Sequence, residues 1–188
     1  NAGTWMNIGG AIGSGRVSNL TVSGSGTATL STLNLNGVTI NVNLNGGTLE
    51  LNGFTNSSIV TAGKIRLNGG TLKARQTNGS FIAAHANLET LVQSSGAVID
   101  TNGFDITIAE PLLQDAASTG GGLTKNSAGL LTLTEPATTT GSTDINAGGL
   151  SVKAGAASWA PSSFSHSGDK LDFNLGVYSS SNPVVINT

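Results

Sequence analysis

The chain contains no cysteine. Disulfides, thiolate zinc sites and a cysteine nucleophile are therefore excluded. A chain without thiols is also compatible with passage through an oxidising compartment, where stray cysteines mispair. Charge is scarce as well: Asp, Glu, Lys and Arg make up 10% of the residues, against roughly 25% in ordinary soluble domains. The formal net charge is −2 and the pI about 5.5, so the basic footprint of a nucleic-acid binder is missing. Aromatic residues are only 4%. No apolar run reaches the ~18 residues that would suggest a transmembrane helix. The opening residues, NAGTWMNIGG, lack the basic start and apolar run of a signal peptide. They begin without Met, which suggests a processed product or a segment of a longer protein.

Glycine, asparagine, threonine and serine fill the space left by charge. Glycine alone accounts for 27 of the 188 residues, about twice its usual share. A polar surface built from amides and hydroxyls suits tight turns and ladders of stacked side chains.

Hydrophobic residues recur every second position. In VTINVNL, Val38, Ile40, Val42 and Leu44 share one face, and Thr39, Asn41 and Asn43 the other. The alternation returns at Leu49/Leu51, Ile65/Leu67, Leu72/Ala74, Ile106/Ile108, Leu131/Leu133 and Leu171/Phe173. This is the pattern of half-buried strands. Asn-Gly pairs end many of them, which fits either hairpin turns or the corners of a coil, where both residues tolerate left-handed backbone angles. Repetition decides. The hexapeptide LNGGTL at 44–49 returns intact at 67–72. Self-similarity at a spacing of this order signals a solenoid. The chain therefore reads as an all-β solenoid of about eight coils, each rising ~4.8 Å.

Regular coils are expected over residues 17–152, with 153–188 as a terminal or atypical coil of the same segment. FIAAHANLETLVQ (81–93) lacks clean alternation. Its residues favour helix locally, but a lateral excursion between strands is the preferred reading. LLQDAASTGGG (112–122) reads as a loop.

The stretch GGGLTKNSAGLLTL (120–133) invites comparison with a phosphate-binding loop. That motif requires Gly-Lys followed by Ser or Thr at the start of a helix. Here Leu123-Thr124 precede Lys125, and Asn126 follows it. Acid pairs for glycoside hydrolysis are limited to Asp100 with Asp105 and Asp169 with Asp172. Asp100 and Asp105 flank a corner, where Asp commonly bonds its own backbone. Asp169 lies in a turn, and Asp172 points outward between Leu171 and Phe173. His85 and His166 lack metal-ligand spacing. No catalytic, cofactor or metal residue is assigned. Lys64, Arg66, Lys73 and Arg75 fall on outward positions of neighbouring strands. They form the one candidate patch for an acidic glycan or another subunit, weighed against a solvated face that keeps the protein soluble.

The segment 120–152 is built from Gly122-Leu123-Thr124-Lys125, Ala128-Gly129, Leu131-Thr132-Leu133, Gly141-Ser142-Thr143 and Asn146-Ala147-Gly148-Gly149-Leu150. It resembles the strand repeat of autotransporter passenger regions. One departure is the stretch EPATTTGST, where that family often carries an aromatic residue and a double glycine. The resemblance implies a right-handed parallel β-helix in a secreted or outer-membrane-surface bacterial protein, where the repeat is scaffold without catalytic residues. The expected function is a structural stalk whose open coil ends are either capped by neighbouring sequence or stack end to end into an extracellular fibre. The alternatives are an adhesin or glycan-binding module and, after that, a carbohydrate-active enzyme.

Overall fold

In the computed structural model, residues 5–9, 17–35, 37–55, 59–135, 137–153 and 161–174 are described. β1 (Trp5–Gly9) is followed by β2 (Val17–Thr29) and β3 (Leu33–Asn34), then by β4 (Gly37–Leu51) and β5 (Phe54–Thr55). The next two coils are β6 (Ile59–Leu67), β7 (Thr71–Ala74) and β8 (Asn78–Ile82), and β9 (Leu88–Val92), β10 (Ala97–Asp100) and β11 (Ile106–Ile108). β12 (Leu112–Gln114), β13 (Leu123–Asn126) and β14 (Leu130–Leu133) complete a further coil. β15 (Thr143–Ile145) with β16 (Gly149–Lys153), and β17 (Phe164–His166) with β18 (Lys170–Asn174), follow.

Every coil-to-coil pairing is parallel. The first half of β2 stacks on the first half of β4, then on β6, β9 and β12, forming one face. The second halves of β2 and β4 lead into β7, β10, β13, β15 and β17, the second face. β8, β11, β14, β16 and β18 form the third, with β3 and β5 at its N-terminal end. The hairpin reading of the Asn-Gly pairs is thereby excluded, because a hairpin makes antiparallel neighbours. Among the described residues β1 alone is antiparallel, lying against Asn19–Ser23 of β2.

The repeated hexapeptide stacks on itself: Leu44 lies opposite Leu67, Thr48 opposite Thr71 and Leu49 opposite Leu72. The solenoid has about six turns rather than eight, or roughly 30 Å of stacked strands at ~4.8 Å per turn. A count of eight requires all 188 residues to coil, whereas the described parallel ladders run only over residues 17–174 and β1 adds no coil; the coils themselves are unequal in length. Thr71 pairs with Val98 and Val98 with Thr124, two long steps, whereas Thr124 pairs with Asp144 after a much shorter one. Loops between strands lengthen the middle coils. No helix forms at 81–93; the segment ends β8, turns at residues 86–87 and enters β9. The loop expected at 112–122 begins with β12, because Leu112 continues the inward column of Ile65 and Thr90. The terminal region continues the ladders through β17 and β18; residues 175–188 lie outside the described part.

The interior is a set of aliphatic columns. Leu49, Leu72 and Ile99 stack on the second face, and Ile108, Leu133 and Val152 on the third, all buried. Phe54 and Phe81 meet edge to face at 6.1 Å between ring centres. Two hydroxyls interrupt the columns: the Oγ1 atoms of Thr90 and Thr143 are buried without a hydrogen-bond partner. A buried polar group without a partner costs about 1–3 kcal/mol. Thr90→Val and Thr143→Val keep the shape and remove the hydroxyl, so each should stabilise the fold by about 1 kcal/mol. Urea midpoints shifted upward with unchanged slope would be the expected reading.

Candidate functional site

Alternation fixes where the basic residues go. On β6, Gly63, Ile65 and Leu67 are buried, so Lys64 and Arg66 project from the first face. Lys64 Nζ lies 2.8 Å from Glu89 Oε2, which stands opposite it on β9. Arg66 reaches the other way: its Nη1 donates to Asn41 Oδ1 at 2.9 Å and to Asn43 Oδ1 at 3.3 Å, both on β4. Asp115 belongs to the same strip. The Ala117 N–H chiefly holds its carboxyl below the usual carboxylate range, with help from the Gln93 amide at 2.8 Å and from the charges of Arg66 and Lys64.

Lys73 and Arg75 lie elsewhere. Lys73 is on β7 in the second face, 3.8 Å from Glu50, its neighbour on β4. Arg75 follows β7 and donates to the Leu30 carbonyl at 3.4 Å. Consecutive strands of a solenoid occupy different faces, so sequence proximity joins only Lys64 and Arg66. Each of these four cations has a partner on another coil, a carboxylate for Lys64 and Lys73 and a neutral oxygen for Arg66 and Arg75, and the two surface ion pairs contribute at most about 1 kcal/mol each.

The acids are engaged with backbone. Asp100 Oδ1 accepts the Asn102 N–H at 2.8 Å, in the corner where Asn102 takes a left-handed φ of 54°. Asp105 Oδ1 accepts the Leu130 N–H of the next coil at 2.8 Å. Asp172 faces Lys170 at 3.5 Å. His85 Nδ1 accepts the Asn87 N–H, and His166 is exposed on β17. Among the described residues, no group of three or more His, Cys, Asp or Glu is placed to hold a metal ion. Glu110 is a buried acid without a warning in the local sequence. Burial raises its pKa, while the His85 N–H, 2.9 Å from Oε2, opposes the shift.

The strongest polar feature is internal. Lys125 is fully buried. Its Nζ donates to the carbonyl oxygens of Asn126 at 3.0 Å, Ser127 at 2.5 Å and Ala147 at 2.9 Å. Desolvation lowers its pKa to about 8, against the opposing pull of Asp100 and Asp169. The sequence carried a signal for this placement: Lys125 has the same parity as Leu123, so both point inward. The motif that looked like a phosphate loop thus directs its lysine into the core.

A cavity of about 260 Å³ lies between the first two coils, lined largely by Leu20, Leu30, Leu33, Leu35 and Val42. It is a largely apolar, partly open recess that Asn19, Thr32, Asn34 and Asn41 also border, and no charged residue lines it. No helix among the described residues is long and apolar enough to cross a membrane. No protein-family model, no curated protein and no solved structure matches this chain.

Proposed function

We propose that this chain is a structural rod, a scaffold or stalk segment of a bacterial secreted or cell-surface protein. The observation that carries this reading is the division of labour among its side chains. Aliphatic columns fill the interior, and of the acids that could serve hydrolysis Asp100 and Asp105 are bonded to backbone N–H groups and Asp172 faces a neighbouring cation. Parallel ladders between coils give such a rod stiffness along its axis. The likeness of residues 120–152 to autotransporter passenger repeats supports a place outside the cell. The locally compensated charges of Lys64 and Lys73, and the hydrogen bonds that tie Arg66 to Asn41 and Asn43, favour a solvated face over an adhesive one.

End-to-end stacking extends the same reading. A coil end offers unpaired backbone groups to another strand, and head-to-tail contact between copies gives a filament. At the N-terminal end, β1 covers Asn19–Ser23 with an antiparallel strand. A second copy must displace β1 to continue the parallel ladder on that face. The chain lacking residues 1–9 should therefore form longer oligomers than the full chain at equal concentration, read by sedimentation velocity and electron microscopy. Equal, monomeric behaviour of both would remove the stacking element. Specific glycan binding that is lost on charge reversal at Lys64 and Arg66 would replace the scaffold reading with an adhesive one.

A further inference from the structure

The corner between β13 and β14 is a cage of backbone oxygens. Three carbonyls converge on one point inside the solenoid: Asn126 and Ser127 from one coil, and Ala147 from the next. Ser127 has φ 64°, a left-handed angle uncommon for a residue with a side chain. Such strain persists only where surrounding contacts hold it. Thr101, from the preceding coil, binds the same corner: its Oγ1 donates to Ala128 O at 2.6 Å, and lies 3.1 Å from Asn126 O and 3.4 Å from Ser127 O. The corner therefore turns its oxygens inward and needs donors there. An ammonium supplies three.

The cage sits where the coil changes length. On the second face, the long step from Val98 to Thr124 is followed by the short one from Thr124 to Asp144. The missing length lies in the turn between the first and second faces: the Thr138 N–H still bonds the Leu112 carbonyl, but residues 115–122 connect β12 to β13 whereas only residues 140–142 lead into β15. Hydrophobic pattern specifies the docking of β15 on β13 only weakly. A slip by one full pleat, from one inward position to the next, preserves the inward–outward alternation. The inward set Gly141, Thr143 and Ile145 contains a single large apolar side chain. Ala147 O comes within reach of Lys125 in the observed register, with Lys125 opposite Ile145.

We propose that this corner is a binding site for a primary ammonium, filled by the chain's own Lys125, and that its occupation fixes the register of the shortened coil on the one before it. Buried polar groups are best attested in such register-setting roles. Asp100 at the end of β10 and Asp169 before β18 are the acids whose charges act on this ammonium. The inference does not depend on what the rod is used for.

The test uses the full chain with Lys125→Met, which keeps bulk and apolar stem but removes the donors. Backbone amide resonances of residues 137–153 should be single in the parent and doubled or broadened in the variant. Thr124→Cys with Asp144→Cys should cross-link rapidly through a short bifunctional thiol reagent in the parent; the chain has no native cysteine to compete. In the Lys125→Met background that pair should lose at least about threefold in rate relative to Thr124→Cys with Asn146→Cys, a ratio worth about 0.7 kcal/mol. One set of resonances and an unchanged cross-linking ratio would overturn the proposal. If Lys125→Met does not fold, Lys125→Ala is refolded with propylammonium or with propan-1-ol. Rescue by propylammonium alone supports the ammonium site. Equal rescue by both, or by neither, overturns it.

Discussion

Raising the pH from 8 to 10.5 should stabilise this fold through Lys125. The folded pKa is about 8, below the ordinary lysine value of 10.5. Between those values the unfolded chain binds a proton that the folded chain has released, so stability rises with pH. The slope approaches about 1.4 kcal/mol per pH unit, and the full rise is about 3 kcal/mol. At pH 7, below both values, Lys125 is predominantly an ammonium in either state, and the carbonyl cage is filled by three N–H donors. Urea denaturation across this range, in the parent and in Lys125→Met, isolates the effect. The difference in stability between the two should move by about 3 kcal/mol in the parent's favour as pH rises. A difference that stays constant would show that Lys125 titrates alike in both states.

The second large effect lies just upstream, at Gly122. A Cβ added there would stand 2.2 Å from the Ser142 carbonyl oxygen, and the obstacle is backbone of the adjoining coil. The coils cannot keep their ladder spacing with an alanine at this position. Gly122→Ala should therefore cost at least about 3 kcal/mol, at the upper end of overpacking effects. Gly120 is the control. Nothing lies within 4 Å of its added Cβ, but its φ is 75°. Gly120→Ala should cost only the ~1–2 kcal/mol of a left-handed angle in an L-residue. Thermal and urea unfolding of the two variants should thus separate them clearly. Equal costs would mean that the adjoining coil yields readily to a methyl group at Gly122, whose own φ is not left-handed.

These residues also show what could be read in advance. The strands were legible because period-two alternation follows directly from the pleat. That Leu44 would stack near Leu67 followed from the repeated hexapeptide. The inward position of Lys125 was missed, because its charge argued against a core position, although its parity with Leu123 carried the signal. The basic patch was less legible. Lys64, Arg66, Lys73 and Arg75 are close in sequence, yet the corner at Asn68–Gly70 turns β7 onto another face. Alternation says whether a side chain faces in or out; it does not say which outer face it occupies.

Sequence alone determined the fold class, the inward set and the absence of thiol chemistry, because each depends on residue type and local spacing. Tertiary structure decided the number of turns, the antiparallel placement of β1 and the partners of each charge. Those depend on the length of every loop, through the register it imposes on the next coil. The Lys125 cage is the clearest case. Its oxygens belong to Asn126, Ser127 and Ala147. Only a coil short enough to set Asp144 beside Thr124 brings the last of them to the lysine.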